Sequence, residues 1–467
     1  MIRNPVMLTA LVVLQHNNVK LPERRAELYG SILGWLSKQR AKDRRLRAEE
    51  CLRRLRELAF AMQNAEGGRR KQVTVHWAGE QLAARFGGRE AAERFLRAEQ
   101  MDSGIVVSRG KELAYWHLTF QEYLAASEIA GWADRDQHKL LVPTGKIHAP
   151  EWRETVLLYA SLLLGAGAPK VDALVKEVLD SMGPSLAERA KCVGLIGALL
   201  PDMVGYQVAD PRYAESLRLV MDIFDREKSE GVPFEDRRAA AEALGVAGDP
   251  RIAGQEWVEI PEARNYWIGA KSDDKEADDD ETLREVNLPA FRIGKYPVTV
   301  SQYGEFVEDG TVLGREPERW EEQQEHPNWP VVNVTWHQAT AYCEWAGVRL
   351  PTEEEWERAA RGPKGTKYAW GNEDIDRSRA NYSDSGIGEP TPVGLYPSGA
   401  SAEGVLDLIG NVLEWTSTEY KKGNGTYVLR GGSFLDDRRY VRASYRYYFQ
   451  PVVHGDYLGF RVAGGIT

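Results

Sequence analysis

The feature that most constrains this chain is a change of rhythm near residue 250. Before it, apolar residues recur at helical spacing; after it they do not, and Trp, Gly and Asn-rich turns take over. In "ERRAELYGSILGWLSKQR" and "AEECLRRLRELAFAMQ" the apolar side chains fall at i, i+3, i+4 and i+7, on one face of a helix. "EWRETVLLYASLLLGAG" and "EDRRAAAEALGVAGDPR" repeat the pattern and run into Gly, the usual helix stop. The spacing predicts a first half that is almost entirely helical, its charges lying on solvated helix faces. The break is expected between Gly248 and Gln255, where a helix stop, "DP" and Gly cluster.

A chain of 467 residues has room for about two to four domains. Its 43% apolar and 28% charged residues are those of a globular protein. A net charge of −10 argues against general nucleic-acid binding, which needs a basic face to neutralise phosphates. Cys51, Cys192 and Cys343 are scattered and odd in number, which predicts neither a disulfide framework nor a zinc site and points to a reducing, cytoplasmic compartment. "VMLTALVVL" (6–14) is too short to span a bilayer and reads as a buried helix; no membrane partner is expected.

After the break, "WVEIPEARNYWIG" and "FRIGKYPVT" read as short strands. "TEEEWERAARG" reads as a helix with Thr352 as N-cap, Glu355 at capping-box spacing and Gly362 past its end. "DDKEADDDE" (273–281) reads as a solvated acidic loop. "FRIGKYPVTVSQYGEFV", "PVVNVTWHQATAYCEWAGVRLPTEEEWERAARG", "YAWGNE", "LDLIGNVLEWTS", "VLRGGSF" and "GFRVA" stand in one order and cover nearly all of 255–467. Together these blocks resemble the formylglycine-generating, sulfatase-modifying family. The resemblance implies a C-type-lectin-like fold, a compact α+β domain rich in loop. Trp336, Trp345, Trp356, Trp370 and Trp415 are expected mostly as core anchors with bonded indole N–H groups.

In the first half, "NPVMLTALVVLQHNNVKLPERRAELYGSIL" and "AYWHLTFQEYLAA", with His117, Phe120, Gln121, Glu122 and Tyr123, resemble the segments that follow the nucleotide-binding core of NACHT-type STAND ATPases. The ATPase is expected upstream of these blocks. No GxxxxGK[ST] phosphate loop occurs, so no nucleotide site is carried over. The organisation expected is a multidomain chain: a winged-helix-like arm over 1–130, helical repeat-like sequence of HEAT type over 131–252, and the C-type-lectin-like domain over 255–467.

Formylglycine-generating enzymes hold copper on a pair of C-terminal cysteines, and this chain has no Cys after Cys343. His326, His337 and His454 lack the spacing of an iron-binding His cluster. On these grounds the chain is expected not to be an enzyme and to require no cofactor. The resemblance does imply a calcium site in "DLIGNVLEW", with Asp407 and Glu414 as carboxylate ligands and Gly410 and Val412 supplying carbonyls.

Members of the family without catalytic cysteines include the variable proteins of diversity-generating retroelements. These keep "RGGS", "RA..R" and "GFRVA" as a constant frame, matched here by Arg430–Ser433, Arg442, Ala443, Arg446 and Gly459–Ala463. Between them lies "YYFQPVVHGDYL" (447–458), with neither helix period nor strand alternation. The resemblance implies a variable region over about 430–463 and a ligand-binding surface of Leu435, Asp436, Asp437, Tyr440, Tyr447, Tyr448, Phe449, Val452, Val453, His454, Asp456, Tyr457 and Leu458. Each of these residues is reachable from the Asn codon AAC by changing adenines alone; Gln450 is not. Tyr joins large area to few rotatable bonds, which suits a binding face. The expected partner is a protein or other macromolecular ligand, with a STAND-type assembly as a second partner.

Overall fold

The structure, a computed structural model, describes residues 24–39, 48–270, 275–309 and 314–466. The apolar stretch 6–14, and Asp273 and Asp274 of the acidic run, lie outside the described residues. The chain divides into two compact units, one of residues 1–183 with 198–215, the other of 184–197 with 216–467.

Among the described residues the first unit contains α1 (Arg25–Gln39) and α2 (Ala48–Gln63), followed by β1 (Val73–Thr74), α3 (Val75–Phe86), α4 (Arg89–Asp102), β2 (Val106–Arg109), β3 (Glu112–Tyr115) and α5 (Leu118–Ala130). The three strands form one antiparallel sheet in the order β1-β3-β2, so the arm is winged-helix-like. Local sequence sets the helix ends. The Thr74 hydroxyl accepts from the Trp77 N–H at the start of α3. His117 Nδ1 accepts from the Thr119 N–H at 3.2 Å and caps α5, whose Phe120, Gln121 and Glu122 are buried. Helices α6 (Asp134–Leu141), α7 (Arg153–Ala166) and α8 (Ala168–Asp180) complete this run, followed by α9 (Leu186–Leu199), α10 (Pro211–Leu219) and α11 (Phe234–Ala247).

The unit boundary corrects the break expected at 248–255. Residues 216–252 belong to the C-terminal unit because α11 docks on it through polar contacts. Trp329 Nε1 donates to Glu242 at 2.9 Å, and Asn328 Nδ2 donates to the Ala241 carbonyl at 2.8 Å.

The C-terminal unit continues with β4 (Trp257–Ile260), β5 (Ala263–Ile268), β6 (Arg284–Leu288), β7 (Phe291–Gly294), α12 (Val300–Glu308), α13 (Trp320–Gln323), α14 (Trp336–Trp345) and α15 (Glu353–Arg361). Then follow β8 (Leu413–Glu419), β9 (Tyr427–Arg430), β10 (Tyr447–Phe449), β11 (Leu458–Phe460) and β12 (Ala463–Gly465). The sheets are β10-β9-β8-β11, β12-β7-β4 and the hairpin β5-β6. Helices α12, α14 and α15 each begin with a complete capping box: Thr299 with Gln302, Thr335 with Gln338, and Thr352 with Glu355. The unit is the loop-rich α+β, C-type-lectin-like domain that the sequence blocks imply.

Trp356 and Trp415 are fully buried, and Trp415 Nε1 donates to the Val334 carbonyl at 2.9 Å. Trp336 and Trp370 are half-buried with bonded indoles, whereas Trp345 is exposed at the end of α14. Gly431 has φ +95, and a Cβ there would lie 2.8 Å from the Leu408 carbonyl oxygen, so the "RGGS" turn admits only glycine at that close approach.

Candidate ligand-binding surface

The four arginines flanking the irregular segment are built into the domain through carboxylates that lie far away in sequence. Arg461 is fully buried; its Nε and Nη2 donate to Glu414 at 2.6 and 2.7 Å, and its Nη1 donates to the Gly294 carbonyl at 3.0 Å. Arg442 is buried against Glu281 through contacts of 2.6 and 2.8 Å. Arg430 pairs with Glu357 and donates to the Ser444 and Tyr445 carbonyls at 2.7 Å each. Arg446 grips Glu353 at 2.5 and 3.0 Å. Burial pushes the Glu353 carboxyl up, but Arg430 and Arg446 pull harder and hold it below the usual range.

These partners correct the reading of 273–281 as merely solvated. Glu281 is buried on Arg442, Asp278 bonds Arg439 at 2.7 Å, and the Asp280 carbonyl accepts from Arg446 at 3.0 Å. The signal was the surplus of arginine around 438–446, which needs acidic partners if it is buried.

The segment held by this frame divides into three classes. Leu435, Asp437, Tyr448, Val452, His454 and Asp456 are exposed, with Leu435, Tyr448 and Val452 at 55%, 48% and 66%. Asp436, Tyr440, Tyr447, Phe449, Val453 and Tyr457 are half-buried, and Tyr447, Phe449, Val453 and Tyr457 lean on the core cluster around Tyr342, Trp415 and Phe460. Leu458 is fully buried, because it belongs to β11 and pairs with Leu413 of β8; its assignment to the surface is corrected. Tyr447–Phe449, expected to be irregular, is the edge strand β10, in register with Leu429–Tyr427.

The structure brings some of these residues together. Tyr447 donates its hydroxyl to Asp436 Oδ1 at 2.6 Å, while Asp436 Oδ2 accepts from the Ser433 N–H and hydroxyl at 2.8 and 2.7 Å. Burial and the Asp436 carboxylate push the Tyr447 phenol up. The rings of Tyr440, Tyr445 and Tyr447 meet edge to face at 5.1 and 4.8 Å. Tyr448 stacks on Tyr420 at 3.8 Å, and Arg446 sits 5.0 Å from the Tyr420 ring. Tyr420, Tyr445 and Arg446 thus join the surface; no short-range pattern marks Tyr420, which reaches it from the end of the β8–β9 hairpin. His454 lies apart from this cluster, 3.4 Å from Glu318, on a loop whose Pro451 and Gly455 carbonyls accept from Trp336 and Asn333 N–H groups.

Of the four residues assigned to calcium, the two carboxylates have other partners in this structure. Both Glu414 oxygens are engaged by Arg461, and one also accepts from Trp356 Nε1 at 2.7 Å, so a guanidinium already supplies the positive charge there. Asp407 Oδ2 accepts from the Gly394 N–H at 2.6 Å, and burial pushes its carboxyl up to about 6. Gly410 donates its N–H to the Gly431 carbonyl at 2.9 Å, and Val412 is buried. Among the described residues no group of three or more His, Cys, Asp or Glu side chains is placed to hold a metal ion. Cys343 is buried in α14, and burial pushes its thiol up to about 12. Among the described residues no helix is long and apolar enough to cross a membrane.

Comparison with known proteins agrees with the two halves. Residues 247–466 match the sulfatase-modifying factor enzyme 1-like domain, and residues 25–129 match the winged helix-turn-helix domain C-terminal to NACHT. An inactive C-alpha-formylglycine-generating enzyme 2 of Mus musculus is 32% identical over 47% of this chain and 87% of its own length. The chain belongs to this sulfatase-modifying family. A hercynine oxygenase of Mycolicibacterium thermoresistibile is 30% identical over 46% of this chain, which spans 60% of that relative's length. Among solved structures, Treponema denticola variable protein 1 aligns with a TM-score of 0.37 at 23% identity, over 46% of this chain and 97% of that one.

The hercynine oxygenase match overturns the expectation that the chain is not an enzyme. A missing cysteine pair bears on one chemistry only, and the family at this level of identity contains proteins named as oxygenases beside proteins named as inactive.

Proposed function

We propose that the C-terminal domain recognises a macromolecular ligand through the exposed and half-buried residues of this segment, with Tyr448 stacked on Tyr420, Leu435, Asp437, Tyr440, Val452 and Asp456, and with His454 on its separate loop beside Glu318. The observation that carries this reading is large apolar side chains standing 48–66% exposed on a segment whose two ends are pinned by buried arginine–glutamate pairs. Exposed apolar area on a rigid support marks a partner site, and rigid aromatic anchors carry most of an interface's energy. In this reading the surface positions are rewritten by a diversity-generating retroelement while the frame is kept, and the winged-helix arm links recognition to a STAND-type assembly. Sequencing the 3′ coding end across isolates tests it. Adenine-directed differences should concentrate in codons 435–457 and spare Arg430, Arg442, Arg446 and Arg461; differences spread evenly over 255–467 would sink the idea.

A second reading, an oxygen-using enzyme, is favoured by the hercynine oxygenase relative. Oxygen uptake by the full chain with hercynine, and with a Cys-containing peptide, tests it; turnover lost with an unrelated surface variant of the fold would not count, whereas turnover above the buffer blank establishes it.

A further inference from the structure

The loop that joins β8 to β9 holds the dipeptide Asn424–Gly425, with Asn424 exposed and Gly425 half-buried. Hydrogen bonds fix the loop on both sides of the Gly425 nitrogen. The Tyr420 N–H donates to the Thr426 carbonyl at 2.9 Å, and the Asn424 N–H donates to the Lys421 carbonyl at 3.0 Å. The Gly425 N–H itself makes no hydrogen bond among the described residues. Gly425 has φ +69, and nothing lies within 4 Å of the point where a Cβ would stand, so no side chain crowds this peptide.

The Asn424 carboxamide is held beside that nitrogen. Its Oδ1 accepts from the Thr426 N–H at 3.0 Å and from the Thr426 hydroxyl at 2.8 Å. A side-chain oxygen bonded to the N–H two residues on folds the carboxamide back over the peptide between them, here that of Gly425. The same two donors sit on the oxygen that gains negative charge when the carbonyl carbon is attacked, the arrangement that stabilises an oxyanion. Other asparagines of the unit lack this combination. Asn328, Asn381 and Asn411 are buried and precede Trp329, Tyr382 and Val412, whose side chains crowd the following nitrogen.

We propose that Asn424 is a site of spontaneous covalent modification by water, a deamidation through a cyclic imide that Thr426 promotes. The Gly425 nitrogen gives its proton to a solvent base and bonds to Asn424 Cγ, while Oδ1 takes the negative charge between the Thr426 N–H and hydroxyl. On collapse the Cγ–Nδ2 bond breaks, and Nδ2 takes a proton and leaves as ammonia. Water then adds to either carbonyl of the imide and opens it to aspartate or isoaspartate. The balance is amide plus water to acid plus ammonia; nothing is oxidised or reduced. The product places a new carboxylate in the loop that starts from Tyr420, the residue stacked on Tyr448.

Incubation of the full chain in mildly alkaline buffer, with mass spectrometry of the tryptic peptide 423–430, tests this. Amide-to-acid conversion and isoaspartate should accumulate at Asn424 no more slowly in the folded chain than in the chain unfolded in urea. Thr426→Val, which loses the hydroxyl donor and keeps the backbone one, should slow conversion in the folded chain by roughly two- to tenfold and leave the rate in urea unchanged. A wild-type chain that converts much more slowly folded than unfolded would overturn the site, and that comparison needs no variant. A Thr426→Val rate equal to the wild type in the folded chain, or lowered equally in urea, would overturn the part given to Thr426.

Discussion

The frame arginines and the segment between them are neighbours in sequence and opposites in physics. Arg430, Arg442 and Arg461 are fully buried and each closes on a glutamate brought from elsewhere in the domain. Leu435, Tyr448, Val452 and His454 are exposed, and the contacts they make, Tyr448 on Tyr420 and His454 beside Glu318, lie at the surface and strand no buried charge when lost. Frame positions cannot be altered singly, because removing one member strands a buried charge; display positions can. A domain that must change its surface without losing its fold needs this division.

The comparison breaks first at its strongest bond. Replacing Arg461 with Leu leaves Glu414 buried and uncompensated and should cost about 3–5 kcal/mol. Chemical denaturation measures this, and a loss under about 1 kcal/mol would show that the frame is not what holds the segment.

Asp407, beside the frame, gives a pH test. Its folded pKa of about 6 lies above the ordinary carboxylate value, so the protonated form is favoured by folding. That stabilisation is complete below about pH 4 and is lost as pH rises through 6. Asp407→Asn suits the backbone, since φ is +55 and Asn tolerates that region. The variant should therefore gain on the wild type in melting temperature between pH 4 and 7; a constant difference across that range would mean the carboxyl does not titrate there.

Smaller effects sharpen the half-buried class. Tyr447→Phe removes the hydroxyl that Asp436 accepts and should cost about 1 kcal/mol, because Asp436 Oδ1 loses its donor while Oδ2 keeps its bonds to Ser433. A neutral result by thermal melt would move Tyr447 into the freely variable class.

Much of this was legible in sequence, for reasons tied to particular residues. Capping boxes are local, and Thr352 with Glu355 reads directly as the start of α15. Ordered blocks rich in Trp and Gly carry the domain, and Trp356 and Trp415 sit at its centre. The edge strand Tyr447–Phe449 was not legible, since three residues are too few to show alternation and its register depends on the partner strand β9. Glu281 was hidden in an acidic run whose composition reads as solvated, because its partner Arg442 lies 161 residues away. The pairing of Glu414 was hidden for the same reason: Arg461 lies far enough along the chain that no local pattern discloses the pair.

The most direct test is the melting temperature of Tyr448→Ser/Val452→Ser/His454→Ser, three exposed positions changed together. Surface substitutions stay within about half a kcal/mol each. The account predicts a melting temperature within a few degrees of the wild type, far from the loss expected for Arg461→Leu. A drop comparable to that of Arg461→Leu would show that these side chains are structural, and the separation of display from frame would be contradicted.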